Sequence, residues 1–158
     1  VVDRRLEIMN VAFAANVPHN AALGLEFVAA AAGDVEMRLP WAPELVGNPD
    51  TGVLHGGAVT SLVDAACGAA VFLAIVPPRP IATLDLRIDH LRQARPRVDV
   101  WCRATCERVT THIAFVRAIA HQGDPTEPVA MVSATFMIFR EGQVRPDTAR
   151  PDAAEPTA

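Results

Sequence analysis

One aspartate stands inside an apolar run. Between Ala58 and Val76 nearly every side chain is Ala, Val, Leu, Ile, Phe or Gly, and Asp64 is the only charged residue. On a helix its neighbours one turn away are Thr60 and Ser61 before it and Cys67 and Gly68 after it, a stripe of small and polar groups. The flanks are Val59, Leu62, Val63, Ala66, Ala69 and Val71. Apolar surroundings disfavour a charged carboxylate, which suits it to general-base or nucleophilic work on a ligand that approaches along the small stripe. On a solvated helix face the same residue would be an ordinary surface acid, and the pattern alone leaves both readings open.

The second feature lies just upstream. Gly56-Gly57 opens the apolar run, and a helix start leaves backbone N–H groups uncovered with the positive end of the dipole behind them. Such a start can hold the oxygen of an attacked carbonyl; the bland alternative is a loop that turns on two glycines. Gly56 and Asp64 are eight residues apart, roughly 12 Å along one helix, too far to serve the same carbonyl carbon. If both act, they come from different subunits, with two antiparallel helices side by side in a dimer.

The elements that must position these residues follow from periodicity and breakers. Residues 2–16 carry a weak helical pattern ending at Asn16 and Pro18. Stretches 23–31 and 34–39 read as strands around a Gly33-Asp34 turn, and 40–51, rich in Pro, Gly, Asn and Asp, reads as a loop. The long helix opens at His55-Gly56-Gly57 and is ended by Pro77-Pro78. Strict alternation marks 83–90 as a strand with one buried face, and three more strands follow at about 97–108, 111–121 and 128–140, a meander. Helical material on one face of an antiparallel sheet makes an α+β domain, and a single long helix can be wrapped by such a sheet. One domain is expected over 1–142, with 143–158, which lacks large apolar residues, as a disordered tail. An exposed edge strand favours a homodimer that extends the sheet.

Bulk composition narrows the function classes. The net charge is −4 and neither sign forms a long run, which argues against nucleic acid and against a polybasic membrane patch and favours a small-molecule partner. Cys67, Cys102 and Cys106 form no CxxC pair, so neither a disulfide framework nor a metal site is indicated and a cytoplasmic setting fits. The start VVDRRLEIMN has no apolar core or cleavage site and does not read as a signal peptide. The apolar run approaches membrane-spanning length, but a mid-membrane Asp costs about 2.5–3.5 kcal/mol, so a buried core helix is the better reading.

The stretch Gly47-Asn48, Gly52-Val53-Leu54-His55-Gly56-Gly57-Ala58, Leu62-Val63-Asp64 and Gly68-Ala69-Ala70 resembles the signature of the PaaI-like (phenylacetate-degradation-type) acyl-CoA thioesterases. Ala82-Thr83-Leu84-Asp85-Leu86-Arg87-Ile88-Asp89-His90 resembles the strand that follows the helix in that family, and the likeness runs over about residues 3 to 140. It implies a hotdog fold, dimers often paired into homotetramers, and cofactor-free hydrolysis of an acyl-CoA thioester. By matched position Asp64 is the nucleophile or general base, and Gly56, with Gly57 beside it, the oxyanion donor. Asn48 orients the carbonyl or the water with His55 beside it, and Thr83 holds the water or the aspartate. Around Arg92 to Arg97 and Arg108 to His112 the sequence departs from the family pattern at edges that often meet the CoA carrier; Arg92, Arg95, Arg97 and His112 are candidate positive charges there.

Val53, Leu54, Val59, Val63 and Phe72 are candidate walls for a hydrophobic acyl group, aromatic or medium-chain, with core packing as the default for each. Two other readings stay in play: a hotdog hydratase or dehydratase pairing His55 with Asp64, and an acyl-CoA-binding protein without catalysis.

Overall fold

The computed structural model describes residues 4–140; the expected tail at 143–158 lies outside them. Three short helical pieces lead the chain: α1 (Arg4–Met9), a π-helical segment (Asn10–Ala15) and α2 (Pro18–Leu23). The single leading helix read over 2–16 is thus α-helical to Met9 and π-helical beyond, and α2 follows outside it. Asn10 supplies a physical reason. Its Nδ2 donates to Leu6 O at 3.2 Å and to Phe27 O at 3.1 Å, and its Oδ1 accepts from Phe27 N at 2.8 Å. The side chain competes for the carbonyl one turn back and ties the widened turn to the sheet. Pro18 starts α2, where its missing N–H is not needed, and Gly24 at φ +66° closes it.

The sheet has six antiparallel strands. β1 (Glu26–Ala31) and β2 (Asp34–Leu39) form a hairpin whose turn is Ala32-Gly33, with Gly33 at φ +80°; Asp34 already pairs with Ala31. Within 40–51, read from the sequence as loop, a 3₁₀ turn (Pro43–Leu45) leads to β3 (Val46–Asn48), which forms a small ladder with β4 (Val53–Leu54) just beyond it. Strands this short leave no periodic signal to read. Then come α3 (Gly56–Ala74), β5 (Ile81–His90), β6 (Val100–Val109), β7 (Ile113–His121) and β8 (Ala130–Ile138).

The strand order is β1-β2-β6-β7-β8-β5, which corrects the expected four-strand meander. Only β6, β7 and β8 run as neighbours in sequence, while β5 pairs with β8 at the far edge and the 91–99 segment carries the chain back across to β6. That crossing is held by Gln122, 4% exposed, which accepts from Arg95 N at 2.6 Å and donates to Arg95 O at 3.1 Å and Val98 O at 3.3 Å. Alternation reveals that a strand exists and which face is buried; it carries no information about its neighbour.

The helix α3 packs chiefly on β6 and β2, with β7, β5 and β8 closing round it. Its apolar length is core-facing: Leu62, Val63, Ala66, Cys67, Ala69, Ala70 and Val71 are fully buried. Burying a Leu or Val side chain stabilises by about 1.5–3 kcal/mol, which is how a helix with little charge of its own is fixed on the sheet. The antiparallel sheet wrapped on one long central helix is the expected α+β hotdog arrangement.

Candidate active site

The helix is not buried all round. Thr60, Ser61, Asp64 and Ala65 form a half-buried stripe beside the fully buried Leu62, Val63, Ala66 and Cys67. Asp64 is therefore reachable. Its Oδ1 accepts from Thr83 Oγ1 at 3.0 Å, and no protein donor among the described residues engages Oδ2.

Thr83 reaches it because β5 is irregular. The β5–β8 register runs Ile81↔Ile138 and Thr83↔Phe136, skips Leu84, and resumes at Asp85↔Thr135 and Leu86↔Ala134. Phe136, Ala134 and Val132 are buried, so Ile81 and Thr83 share the inner face with Leu86 and Ile88. Simple alternation forbids that, since 83 and 86 differ in parity. The extra residue is Leu84, which is 51% exposed. The bulge re-aims Thr83 toward the helix while keeping the rest of the strand in register with the core.

Asp64 and Thr83 border an open cavity of ≈ 320 Å³ walled by Phe13, Val17, Ala65, Gly68, Ile81 and Phe136. The leading helical pieces supply Phe13, Val17, His19 and Asn20, residues sequence reasoning missed. They carry no local signal, being brought to Asp64 only by the docking of the π-helical segment and α2, with Phe13 edge-on to Phe27 at 5.9 Å.

At the other end of the stripe the helix start is built by His55. Its backbone is extended at φ −63°, ψ 135°, and its Nδ1 accepts from Gly57 N at 2.9 Å. A neutral His55 therefore carries its proton on Nε2. The Gly57 N–H is taken by the ring; a carbonyl seeking it must displace the imidazole. Gly56 N–H has no acceptor among the described residues, and a Cβ built on Gly56 meets nothing within 4 Å. Gly47 explains how the β3–β4 ladder presses on this turn: a Cβ there would lie 2.8 Å from His55 Cα. His55 N donates to Leu45 O at 2.8 Å, which holds the turn from behind.

Asn48 closes the β3–β4 turn. Its Oδ1 accepts from Asp50 N at 3.0 Å and its carbonyl accepts from Gly52 N at 2.9 Å. Val53, Leu54 and Val59 line a cavity of ≈ 310 Å³ that contains Gly56 and reaches Leu91 and Arg92. Val63 is fully buried in the core and Phe72 half-buried near the end of α3; neither lines this cavity or the Asp64 one. The Gly56 and Asp64 cavities share no residue, so within one chain the open Gly56 N–H and the Asp64 carboxylate face different cavities.

Arg92 and Arg95 donate to the carbonyls of Glu127 (2.9 Å) and Gln122 (2.7 Å). Arg97 is held at φ +57° beside Gly52. Behind Asp64, burial pushes the Cys67 thiol up to about 12 and the Asp64 charge adds to it. Cys102 is raised well above its usual value, first by burial. Both are packing groups rather than nucleophiles. Among the described residues no group of three His, Cys, Asp or Glu side chains is placed to hold a metal ion.

A family model described as Thioesterase superfamily matches residues 51–129, from the β3–β4 turn through α3 to the foot of β8. The chain belongs to the thioesterase superfamily. Among its relatives, the medium/long-chain acyl-CoA thioesterase YigI of Salmonella typhimurium is 26% identical over 86% of this chain and 95% of its own. A crystal structure of a Pseudomonas aeruginosa protein superposes with a TM-score of 0.75 at 40% identity, over 85% of this thioesterase-superfamily chain and 98% of that one. The phenylacetic acid degradation protein PaaI of Thermus thermophilus, in a mutant form, has the same fold at a TM-score of 0.68 and 23% identity, covering 77% and 99%.

Proposed function

We propose that this protein hydrolyses the thioester of a hydrophobic acyl-CoA, with the active site completed by two subunits. The observation that carries the reading is the division between the Asp64–Thr83 cavity and the cavity holding the unpartnered Gly56 N–H. Two copies with antiparallel α3 helices bring each Gly56 opposite the other's Asp64.

In this reading the thioester oxygen sits on Gly56 N–H at the positive end of α3, which stabilises the charge that grows on it. Asp64 Oδ2 attacks the carbonyl carbon or takes the proton of a water that does. Thr83 holds Oδ1 so that one oxygen lone pair stays aimed. The carbon–sulfur bond then breaks with its electron pair on sulfur, which takes the water-derived proton held by Asp64, or one from solvent where Asp64 itself attacked, so that CoA departs as the thiol. After direct attack a water cleaves the acyl–Asp64 anhydride, releasing the acid and restoring the carboxylate. His55 holds the turn that exposes Gly56, and Asn48 stands on the neighbouring β3–β4 turn. The acyl group lies against Phe13, Val17 and Phe136. The CoA chain lies along Val53, Leu54 and Val59 toward Arg92, the side with positive charge and no lining carboxylate. The unpaired edge of β5 supports a homodimer; no nucleic acid or membrane has a role. Three free thiols suit a reducing, cytoplasmic setting.

Thiol release from a series of aromatic, short and long acyl-CoAs tests the reading. Asp64→Asn keeps an acceptor for Thr83, so it is expected to retain fold and assembly while losing about 10²- to 10⁴-fold in kcat/KM. Wild-type rates in that variant, or hydration of an enoyl-CoA without thiol release, would reject it.

A further inference from the structure

A second cavity of ≈ 390 Å³ lies beside the Asp64 cavity, walled by Leu23, Leu45, Val46 and Ala58 and bordered by Glu44, His55 and Gly57. The two have only His19 and Ser61 in common. These side chains are joined: His19 Nε2 lies 3.0 Å from Ser61 Oγ, and Ser61 Oγ donates to Gly57 O at 3.1 Å. With its proton committed to that carbonyl, Ser61 oxygen accepts from His19 Nε2–H. The bond thus ties α2 to α3 and stands as a wall between the two cavities.

We infer that the His19–Ser61 hydrogen bond is a partition that sets the length of acyl group accepted beside Asp64. This rests on the proposed acyl-CoA hydrolysis and names its specificity determinant. With the partition closed, an acyl chain ends at His19, in a chamber at the small end of the 300–1,000 Å³ range of ligand sites; opened, the chambers together fall well inside it. The geometry favours such a role over simple packing. His19 is exposed on a short helix, so the wall is the tip of a surface side chain, whereas Phe13, Ala65, Ile81 and Phe136 of the Asp64 cavity pack against the core. Past the pair, apolar walls resume at Leu23, Leu45, Val46 and Ala58, so an alkyl chain stopped at His19 gains burial once the pair parts.

The test is the acyl-length profile of wild type, His19→Ala and His19→Gln against saturated acyl-CoAs from butyryl to hexadecanoyl. A single methylene in an apolar pocket changes kcat/KM by about 10- to 200-fold. His19→Ala is therefore expected to raise the ratio of dodecanoyl to butyryl kcat/KM by about tenfold or more. His19→Gln, which keeps a donor at similar reach, should return the profile toward wild type. A uniform change at every chain length, or none, would overturn the partition. The same variants are titrated with free saturated carboxylic acids by calorimetry, which separates this inference from the activity on which it rests. If wild type releases no thiol from any acyl-CoA, the hydrolysis reading fails. A gain in long-acid affinity on His19→Ala would still uphold the partition, and an unchanged series would remove it.

Discussion

At Asp64 the decisive contact is a single hydrogen bond to one oxygen. Thr83 Oγ1 at 3.0 Å fixes the carboxylate and leaves Oδ2 to act. Thr83→Ala removes that hold at a site where one net hydrogen bond is worth about 0.5–1.5 kcal/mol. We expect kcat/KM to fall roughly three- to tenfold with the melting temperature little changed, and Thr83→Ser to recover most of it. Parallel kinetics and thermal melts check both. The half-buried Asp64 and the helix start at Gly56 were legible in the sequence because an acid in an apolar run and a Gly-Gly start are rare enough to notice. His55 was legible as a neighbour, and its actual task, accepting from Gly57 N, follows from helix-start geometry. His19 and Phe13 were not legible. They sit far upstream, and only the docking of the leading pieces places them at the cavity.

On the scale of elements, α3 and the bulge in β5 together make the site. Gly68 faces the Asp64 cavity in mid-helix, and a Cβ there would meet Phe136 Cε1 at 3.6 Å, an ordinary contact. Gly68→Ala should therefore stabilise the fold by about 0.8–1 kcal/mol through helix propensity. It should also shrink the cavity, lowering kcat/KM for the bulkiest acyl groups most; chemical denaturation and the acyl-CoA series read the two effects separately. The long helix and the β5–β8 strands could be found from period alone, because each presents a repeating apolar face. Their order could not, since β5 crosses to the far edge of the sheet through a segment held by Gln122. The bulge was hidden for a subtler reason: Leu84, Leu86 and Ile88 alternate perfectly in sequence, and only the pairing with β8 shows that Leu84 is the odd residue and Thr83 the inward one.

For the whole molecule, the separation of Gly56 from Asp64 gives a test that needs no view of the assembly. Gly56 is the first residue of α3, its Cβ position is open, and His55 before it is extended at ψ 135°. These are the conditions under which proline is accepted at a helix start, so Gly56→Pro deletes one N–H and little else. Alone it should lose about 10²- to 10³-fold in kcat, the usual effect of removing one oxyanion donor. Mixed in equal amounts with Asp64→Asn and allowed to exchange subunits, it should regain about a quarter of wild-type activity, because half the dimers are mixed and each mixed dimer holds one intact site. No recovery after demonstrated exchange would place both groups of each site on one chain.

The proposed two-chain site has a thermodynamic consequence. A ligand that spans two half-sites on different chains binds the pair and not the separated subunits, so it must tighten the pair by the same free energy with which the pair holds it. Adding CoA or a non-hydrolysable acyl-CoA should shift subunit dissociation to lower protein concentration, measurable by sedimentation at high dilution, and hydrolysis should undo the shift. In such a protein the substrate is also an adhesive, and turnover dissolves it.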